Sequence, residues 1–266
     1  AGIHRERGDY AHAIAEYQGA LAIRRELGQH REAALLLHNL GLIYYQIGNF
    51  DLAQARFDAA LPILESLGDK SGQANTLMGM GLLAYGRHLN GTARAAYARA
   101  AALYKAIGDR RGLGMAYNNL GLVAHDEGDL TAAESYYKDY LAVTRAIGAR
   151  RGTAVALLNL GIIAVDRGDT AAARQQLLAS LGEAHAIGHT LVMLDGLAGL
   201  ARLRALESNP EGALELLATT LSHPAADVET RREAEPLRSR LESSLSPARY
   251  AELWARGVAQ DFEATV

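Results

Sequence analysis

The sequence predicts an all-α protein of antiparallel helix pairs stacked one upon another. Three observations carry that expectation. Glycine recurs every 40 residues at Gly28, Gly68, Gly108, Gly148 and Gly188, each time behind Leu or Ile. Alanine keeps the same register at Ala13, Ala53, Ala93, Ala133, Ala173 and Ala213. A bulky ladder runs beside it through Tyr17, Phe57, Tyr97, Tyr137, Leu177 and Leu217. A fixed period of this kind marks a repeat architecture, in which each unit buries its apolar face against its neighbours.

Each period reads as two helices. In the second period Leu37, Leu40, Gly41 and Tyr44 fall at i, i+3, i+4 and i+7, one face of a first helix. The same step recurs as Met80-Gly81, Leu120-Gly121, Leu160-Gly161 and finally Leu200-Ala201. Gly48-Asn49 breaks the pattern, as do Gly8-Asp9, Gly128-Asp129 and Gly168-Asp169 at equivalent turns. Ala53, Phe57, Ala60, Leu61 and Leu64 then trace a second amphipathic helix. Leu67-Gly68 closes it, with glycine suited to a left-handed C-terminal position. Gly41 and Ala53 mark a close crossing of the pair, since two helices approach only where side chains are short. The aromatic ladder is expected to fill the wider space beside that crossing. Two turns depart from the pattern: Arg87-His88-Leu89-Asn90 and Ser208-Asn209-Pro210 lack the glycine, though both still permit a turn.

Composition excludes several functions. The 266 residues contain no cysteine, which removes a disulfide scaffold, a thiolate zinc site and a cysteine nucleophile together. A net charge of −3 argues against a dedicated nucleic-acid module, and no direct nucleic-acid contact is expected. The start, with Arg5, Glu6 and Arg7, is no signal peptide. The longest stretch without formal charge, Ala33–Phe50, holds His38, Asn39, Gln46 and Asn49, a poor membrane span. A cytoplasmic protein with no membrane contact is the expectation. Gly79-Met-Gly81-Leu-Leu-Ala84 fits a loose dinucleotide fingerprint but lies inside a repeat helix rather than after a strand. His185 and His189, near Glu183, are separated by a helix-ending Gly188, so no metal site is expected. No phosphate-binding lysine loop, nucleophile elbow or calcium loop is present. The chain reads as non-enzymatic and free of cofactors. Lys70, Arg110, Arg111, Arg150 and Arg151 form a basic column, expected to be a solvated edge paired with Asp69, Asp109 and helix-end carboxylates.

The ends are expected to differ from the array. Ala1 falls at the register of Gly41, so the chain is expected to be the C-terminal piece of a longer polypeptide whose upstream domains are partners. Residues 1–223 are expected to form the array, about six repeats with the first truncated, and residues 224–266 to form capping helices. Ala226–Leu241 reads as a charged helix that Pro236 kinks or splits. Ser246-Pro247 opens another helix running to about Glu263, with Leu253, Trp254 and Phe262 suited to cover the last apolar face.

One period carries a specific resemblance. Asn118-Asn119-Leu120-Gly121-Leu122-Val123-Ala124, then Glu127-Gly128-Asp129-Leu130, Ala132-Ala133, Tyr136-Tyr137 and Leu141, resembles a tetratricopeptide repeat. The family's small residues match Gly121 and Ala133, its aromatic matches Tyr137 and its turn matches Gly128-Asp129. The 40-residue period is longer than the usual repeat of about 34 and resembles the long-helix variant of signalling scaffolds and bacterial regulators. The tail Tyr250-Ala-Glu-Leu-Trp254-Ala-Arg-Gly257, with Phe262-Glu263-Ala264, is similar to tails of bacterial regulators that join an NB-ARC-like (STAND-type) nucleotide switch to a tetratricopeptide sensor.

The resemblance implies a right-handed α-solenoid, a superhelix whose concave groove is lined by first helices and binds a peptide or protein segment. Carried over position by position, the groove stripe is Leu35, His38, Leu42 and Tyr45, then Asn75, Met78, Leu82 and Tyr85. It continues through Met115, Asn118, Leu122 and His125, then Val155, Leu158, Ile162 and Val165. Asn39, Asn119 and Asn159 lie beside it, where related repeats hold a peptide backbone, while Gly79 and Gly199 interrupt that ladder. Leu42 and Leu82 stand where chaperone-binding relatives carry asparagine, which disfavours an acidic peptide terminus. The alternative role for Leu42, Leu82, Leu122 and Ile162 is packing between repeats. His38 and His125 read as passive polar groups, and Asp126 and Asp166 as solvated. The implied function is a protein- or peptide-binding module, the sensor of a bacterial signalling or transcription regulator. A self-associating or autoinhibitory scaffold and a small-molecule effector domain are the alternatives.

Overall fold

The computed structural model describes residues 10–265, so the expected Gly8-Asp9 turn lies outside the described residues. Those residues form helices and no strand. In chain order they are α1 (Tyr10–Glu26), α2 (His30–Gln46), α3 (Phe50–Ser66), α4 (Lys70–Gly86), α5 (Asn90–Ile107) and α6 (Arg110–Asp126). Next come α7 (Leu130–Ala146), α8 (Arg150–Asp166), α9 (Thr170–His185), α10 (Thr190–Leu206) and α11 (Pro210–Ser222). The chain ends in α12 (Val228–Ser244), α13 (Pro247–Ala259) and the single turn α14 (Phe262–Thr265). Two compact units divide at Glu127 and Gly128. The first holds α1–α6 and the second α7–α14.

The turns follow from two adjacent residues. Gly68 takes a left-handed φ of +64°, which reverses the chain after α3. Asp69 then accepts the backbone N–H of Gly72 at 2.9 Å, capping α4. Asp109, Asp129 and Asp169 cap α6, α7 and α9 in the same way. The two turns without glycine keep the geometry through His88 (φ 58°) and Ser208 (φ 61°), left-handed residues that carry a Cβ.

The small residues mark crossings. A Cβ on Gly41 would lie 2.5 Å from the Phe57 ring, and one on Gly81 2.5 Å from that of Tyr97. In the second unit a Cβ on Gly161 would meet Leu177 at 2.7 Å. Phe57, Tyr97, Tyr137, Leu177 and Leu217 of the bulky ladder are buried, and Tyr17 at its start is half-buried.

The C-terminal helices differ in part from expectation. Pro236 does not split α12, and Pro62 likewise sits within α3. Both prolines are exposed, as are Asp58 and Arg232 four residues earlier, so the carbonyls that lose an N–H partner face water. Buried Ala234 and Leu237 sit forty residues beyond buried Leu194 and Leu197, which makes α12 by register the sixth first helix among the described residues. At the next crossing position Leu241 replaces the glycine of earlier repeats. Accordingly α13 packs chiefly on α11 rather than pairing with α12. A Cβ on Gly257 would lie 2.3 Å from the backbone oxygen of Glu215, so the two backbones nearly touch. The expected helix to Glu263 stops at Ala259, where Gln260 is extended, and α14 then sets the Phe262 ring 4.5 Å from His223. Leu241 and Leu253 are buried in the core of the second unit, with Trp254 and Phe262 packed against it.

Candidate ligand-binding face

In the first unit the predicted stripe falls on α2, α4 and α6, which lie side by side. Arg31 at the start of α2 reaches Asp69 at the start of α4 at 2.8 Å. At the other ends Tyr45 packs on Gly86, and the Tyr85 hydroxyl donates to Asp126 at 2.6 Å. Leu35, His38, Leu42 and Tyr45 are half-buried on α2, as are Met78, Leu82 and Tyr85 on α4. On α6 Asn118, Leu122 and His125 are half-buried and Met115 is 56% exposed. Between the terminal turns this face carries no formal charge, because residues 33–46, 71–86 and 112–125 contain no Asp, Glu, Lys or Arg.

Several of these side chains also serve the scaffold. His38 lies 5.8 Å from the Phe57 ring, and Tyr45 stacks on Phe50 at 5.7 Å. Asn75, exposed, accepts the Tyr104 hydroxyl at 2.7 Å. Burial, with the Asp109 carboxylate adding, pushes the Tyr104 phenol up to about 12.

The broken asparagine ladder has a structural cause. Asn119 hydrogen-bonds the buried Tyr97 hydroxyl of the preceding second helix. Asn118 in turn donates to Asn119 at 3.4 Å, a long bond. Where that second helix offers no hydroxyl, glycine stands instead. A Cβ on Gly79 would come within 2.7 Å of Phe57, and one on Gly199 within 2.7 Å of Leu177. The position therefore answers its neighbour: an amide for a phenol, nothing for a hydrocarbon. Asn39 is half-buried on α2.

In the second unit Leu158 and Val165 are buried, while Val155, Asn159 and Ile162 are half-buried. The stripe continues onto α10 as Asp195, Ala198 and Arg202, two charged positions and an alanine that the 40-residue register marks but the groove assignment did not include. Arg202 pairs with Asp166, and Thr230 of α12 donates to Asp195 at 3.0 Å. A cavity of about 40 Å³ lies among Ile162, Asp195, Arg202, Leu217, Thr230 and Glu233. Burial raises the Asp195 carboxyl above its ordinary range, opposed by the Thr230 hydroxyl and reinforced by Asp227 and Glu229. Burial and the charges of Glu229 and Asp195 raise Glu233 likewise. Asp126 and Asp166 are exposed, as expected, and each also has a protein partner.

The basic column is neutralised only in part. Arg150 pairs with Glu183 at 2.9 Å, and Asp69 pairs with Arg31. Asp69 and Asp109 are engaged as caps, and no ion pair holds Lys70, Arg110 or Arg111 among the described residues. No group of three metal-ligating side chains occurs among the described residues, and no helix there is long and apolar enough to cross a membrane. His189 instead caps α10.

The tetratricopeptide repeat profile matches residues 1–66, 72–146 and 113–182. The chain belongs to the tetratricopeptide repeat family. Its paired helices are those of a tetratricopeptide solenoid, an interaction scaffold typical of protein- and peptide-binding modules. Among solved structures it is similar to PH0952 from Pyrococcus horikoshii, a signal-transduction ATPase with a tetratricopeptide repeat sensor, with a TM-score of 0.78 and 14% identity. That similarity covers 96% of this chain and 40% of PH0952. BtubC from P. vanneervenii matches with a TM-score of 0.64 and 16% identity over 90% of this chain and 94% of that one. YrrB, a tetratricopeptide protein with an unusual peptide-binding site, matches at 0.51 and 18% identity over 82% of this chain and 98% of its own. At these identities the likeness shows the fold. No curated protein matches the sequence.

Proposed function

We propose that the face of α2, α4 and α6 binds an apolar peptide or helix, and that the chain is the non-enzymatic sensor or interaction region of a larger signalling regulator. The observation that carries this reading is the uncharged face itself. It presents exposed Met115 and half-buried Leu35, Leu42, Met78, Leu82 and Leu122 between Asn and Tyr anchors. An apolar surface with few polar groups suits recognition by buried area, with the polar groups setting register. In the second unit, taken by itself, Asn159 and Ile162 are half-buried at the corresponding register positions. The peptide-binding site named for YrrB and the sensor named for PH0952 are consistent with it. Residues 1–223 form the array in this reading, and residues 224–266 cap it.

Titration calorimetry with apolar peptides tests the reading. Binding that falls at least tenfold on Leu82→Ser plus Leu122→Ser supports it. Binding unchanged by the pair would remove this face from consideration. A second reading, self-association, is favoured by exposed Leu27, Leu67 and Ile107, one aliphatic side chain in each successive repeat (61%, 49% and 39% exposed). Concentration-dependent mass in light scattering, abolished by serine at those three positions, would favour it.

A further inference from the structure

The charges bordering the face of α2, α4 and α6 differ between its two ends. Its N-terminal lip carries Arg31, Lys70, Arg110 and Arg111, of which the last three are exposed and outside any ion pair among the described residues. Glu32, Asp69 and Asp109 share that lip, but the two aspartates are held as helix caps. Its C-terminal lip carries Asp126 with the hydroxyls of Tyr45 and Tyr85, and two charges already paired outside the face, Glu127 with Arg94 and Arg87 with Asp51. The contacts of Arg31 with Asp69 and of Tyr85 with Asp126 show that like ends of these helices adjoin. Their peptide dipoles therefore add positive potential at the first lip and negative potential at the second. Helix stability favours the reverse arrangement, acids in the first turn and bases in the last. On α6 the side chains strengthen the dipole instead of offsetting it. Taken by itself, α8 repeats the pattern, with Arg150 and Arg151 at its start and Asp166 at its end.

Width selects the shape of the occupant. Each of the three helices has 17 residues, so the lips stand about 25 Å apart. An α-helix is about 10–12 Å across, and long charged side chains on its two flanks reach toward both lips. A single extended strand laid on this face points alternate side chains into the floor and away from it, so it has no pair of flanks to meet the two lips. We infer that the occupant of this face is an amphipathic α-helix whose apolar stripe is bordered by acidic residues on one flank and basic residues on the other. The helix runs across α2, α4 and α6 with its acidic flank toward Lys70, Arg110 and Arg111 and its basic flank toward Asp126. The flanks, more than the apolar stripe, set its direction along the array. This inference rests on the binding face proposed above.

The test uses synthetic 18-residue helices with one Leu/Ala stripe. One has Glu on the first flank and Lys on the second, one has the flanks exchanged, one has Lys on both and one has Glu on both. The chain has no cysteine, so Gln46→Cys places a single fluorophore on α2. Energy transfer from either peptide end then reports direction. The two mixed-flank peptides are expected to bind equally and in opposite directions, because turning the helix end for end restores the charge match. The uniform-flank peptides are expected to bind about 5–20-fold more weakly at low salt, a difference that fades in 0.5 M salt. In Arg110→Glu plus Arg111→Glu, the peptide with Lys on both flanks becomes the tightest. Equal affinity for all four with no preferred direction overturns the flank inference and leaves the apolar face standing. Binding by none of the four overturns the face itself. A lead for either uniform peptide on the unmodified chain also overturns the inference.

Discussion

Asn119 offers a direct test of whether its amide serves the scaffold. Tyr97 is 2% exposed, and burial drives its phenol well above the ordinary range while Asn119 hydrogen-bonds its hydroxyl. Replacing Asn119 with Ala strands that hydroxyl, at a cost of about 1–3 kcal/mol, partly offset by about 0.5 kcal/mol from the better helix propensity of Ala. The net expectation is a loss of about 1–2 kcal/mol. Tyr97→Phe removes the hydroxyl but leaves Asn119 half-exposed and near Asn118, so its cost is smaller, about 0.5–1 kcal/mol. The double substitution rebuilds the kind of junction already present at Phe57 and Gly79, where a ring meets no amide. It is expected to lie within about 0.5 kcal/mol of the unmodified chain, giving a coupling of about 1.5–3 kcal/mol. Urea unfolding of the four proteins measures this, with a constant m-value showing that stability alone has changed. Additive single-site losses, or an Asn119→Ala protein as stable as its parent, would refute the scaffold role and return Asn119 to the ligand.

Other expectations concern turns, caps and charge. His88→Gly and Ser208→Gly each relieve a left-handed residue that carries a Cβ, and each is expected to add about 0.5–1 kcal/mol in thermal unfolding. Gly257→Ala drives a Cβ into the Glu215 backbone oxygen, which cannot rotate away. It is expected to destabilise the α11–α13 contact by about 2–3 kcal/mol and to raise amide exchange in α13. Asp195 has a raised carboxyl in the folded state, so the fold binds that proton more tightly than the unfolded chain. Its contribution is complete below the unfolded value of about 3.9 and is lost as pH rises through the folded value. Asp195→Asn is therefore expected to stabilise the chain at neutral pH and to converge with its parent in acid, followed by denaturant midpoints across pH.

The repeat was legible because its signals are local and recur. Gly41, Gly81 and Gly161 sit where backbones cross, and Gly68-Asp69 joins a helix stop to a helix cap within two residues. The identity of α12 was hidden because Pro236 and a run of charges mask the one face that keeps the register, Ala234 and Leu237. An exposed proline breaks only a hydrogen bond that water replaces, so it is weaker punctuation than the sequence makes it look. The face was readable as a stripe, yet the partners of its members were not. Tyr97 meets Asn119, and Tyr104 meets Asn75, through side chains on different helices whose separations of 22 and 29 residues match no local motif. Asp195 and Arg202 were visible in register, but only the neighbouring Thr230 and Asp166 show that they belong to a packed junction.

The pairing of Tyr97 with Asn119 also bears on how such arrays can be rearranged. The linked residues lie on a second helix and on the first helix of the next repeat, so the pair straddles the boundary at Gly108. A forty-residue block cut at Gly108 carries one member without the other. Joined to a block from a Phe57-type junction, it would set an amide against a ring edge or leave a phenol stranded. A block cut at the opposite turn, near His88 or Gly128, carries both. The unit that keeps this pair intact is therefore a second helix followed by a first, half a period out of phase with the unit that the glycine spacing draws, whereas the Tyr104–Asn75 bond crosses the His88 turn and is kept only by a cut at the glycine.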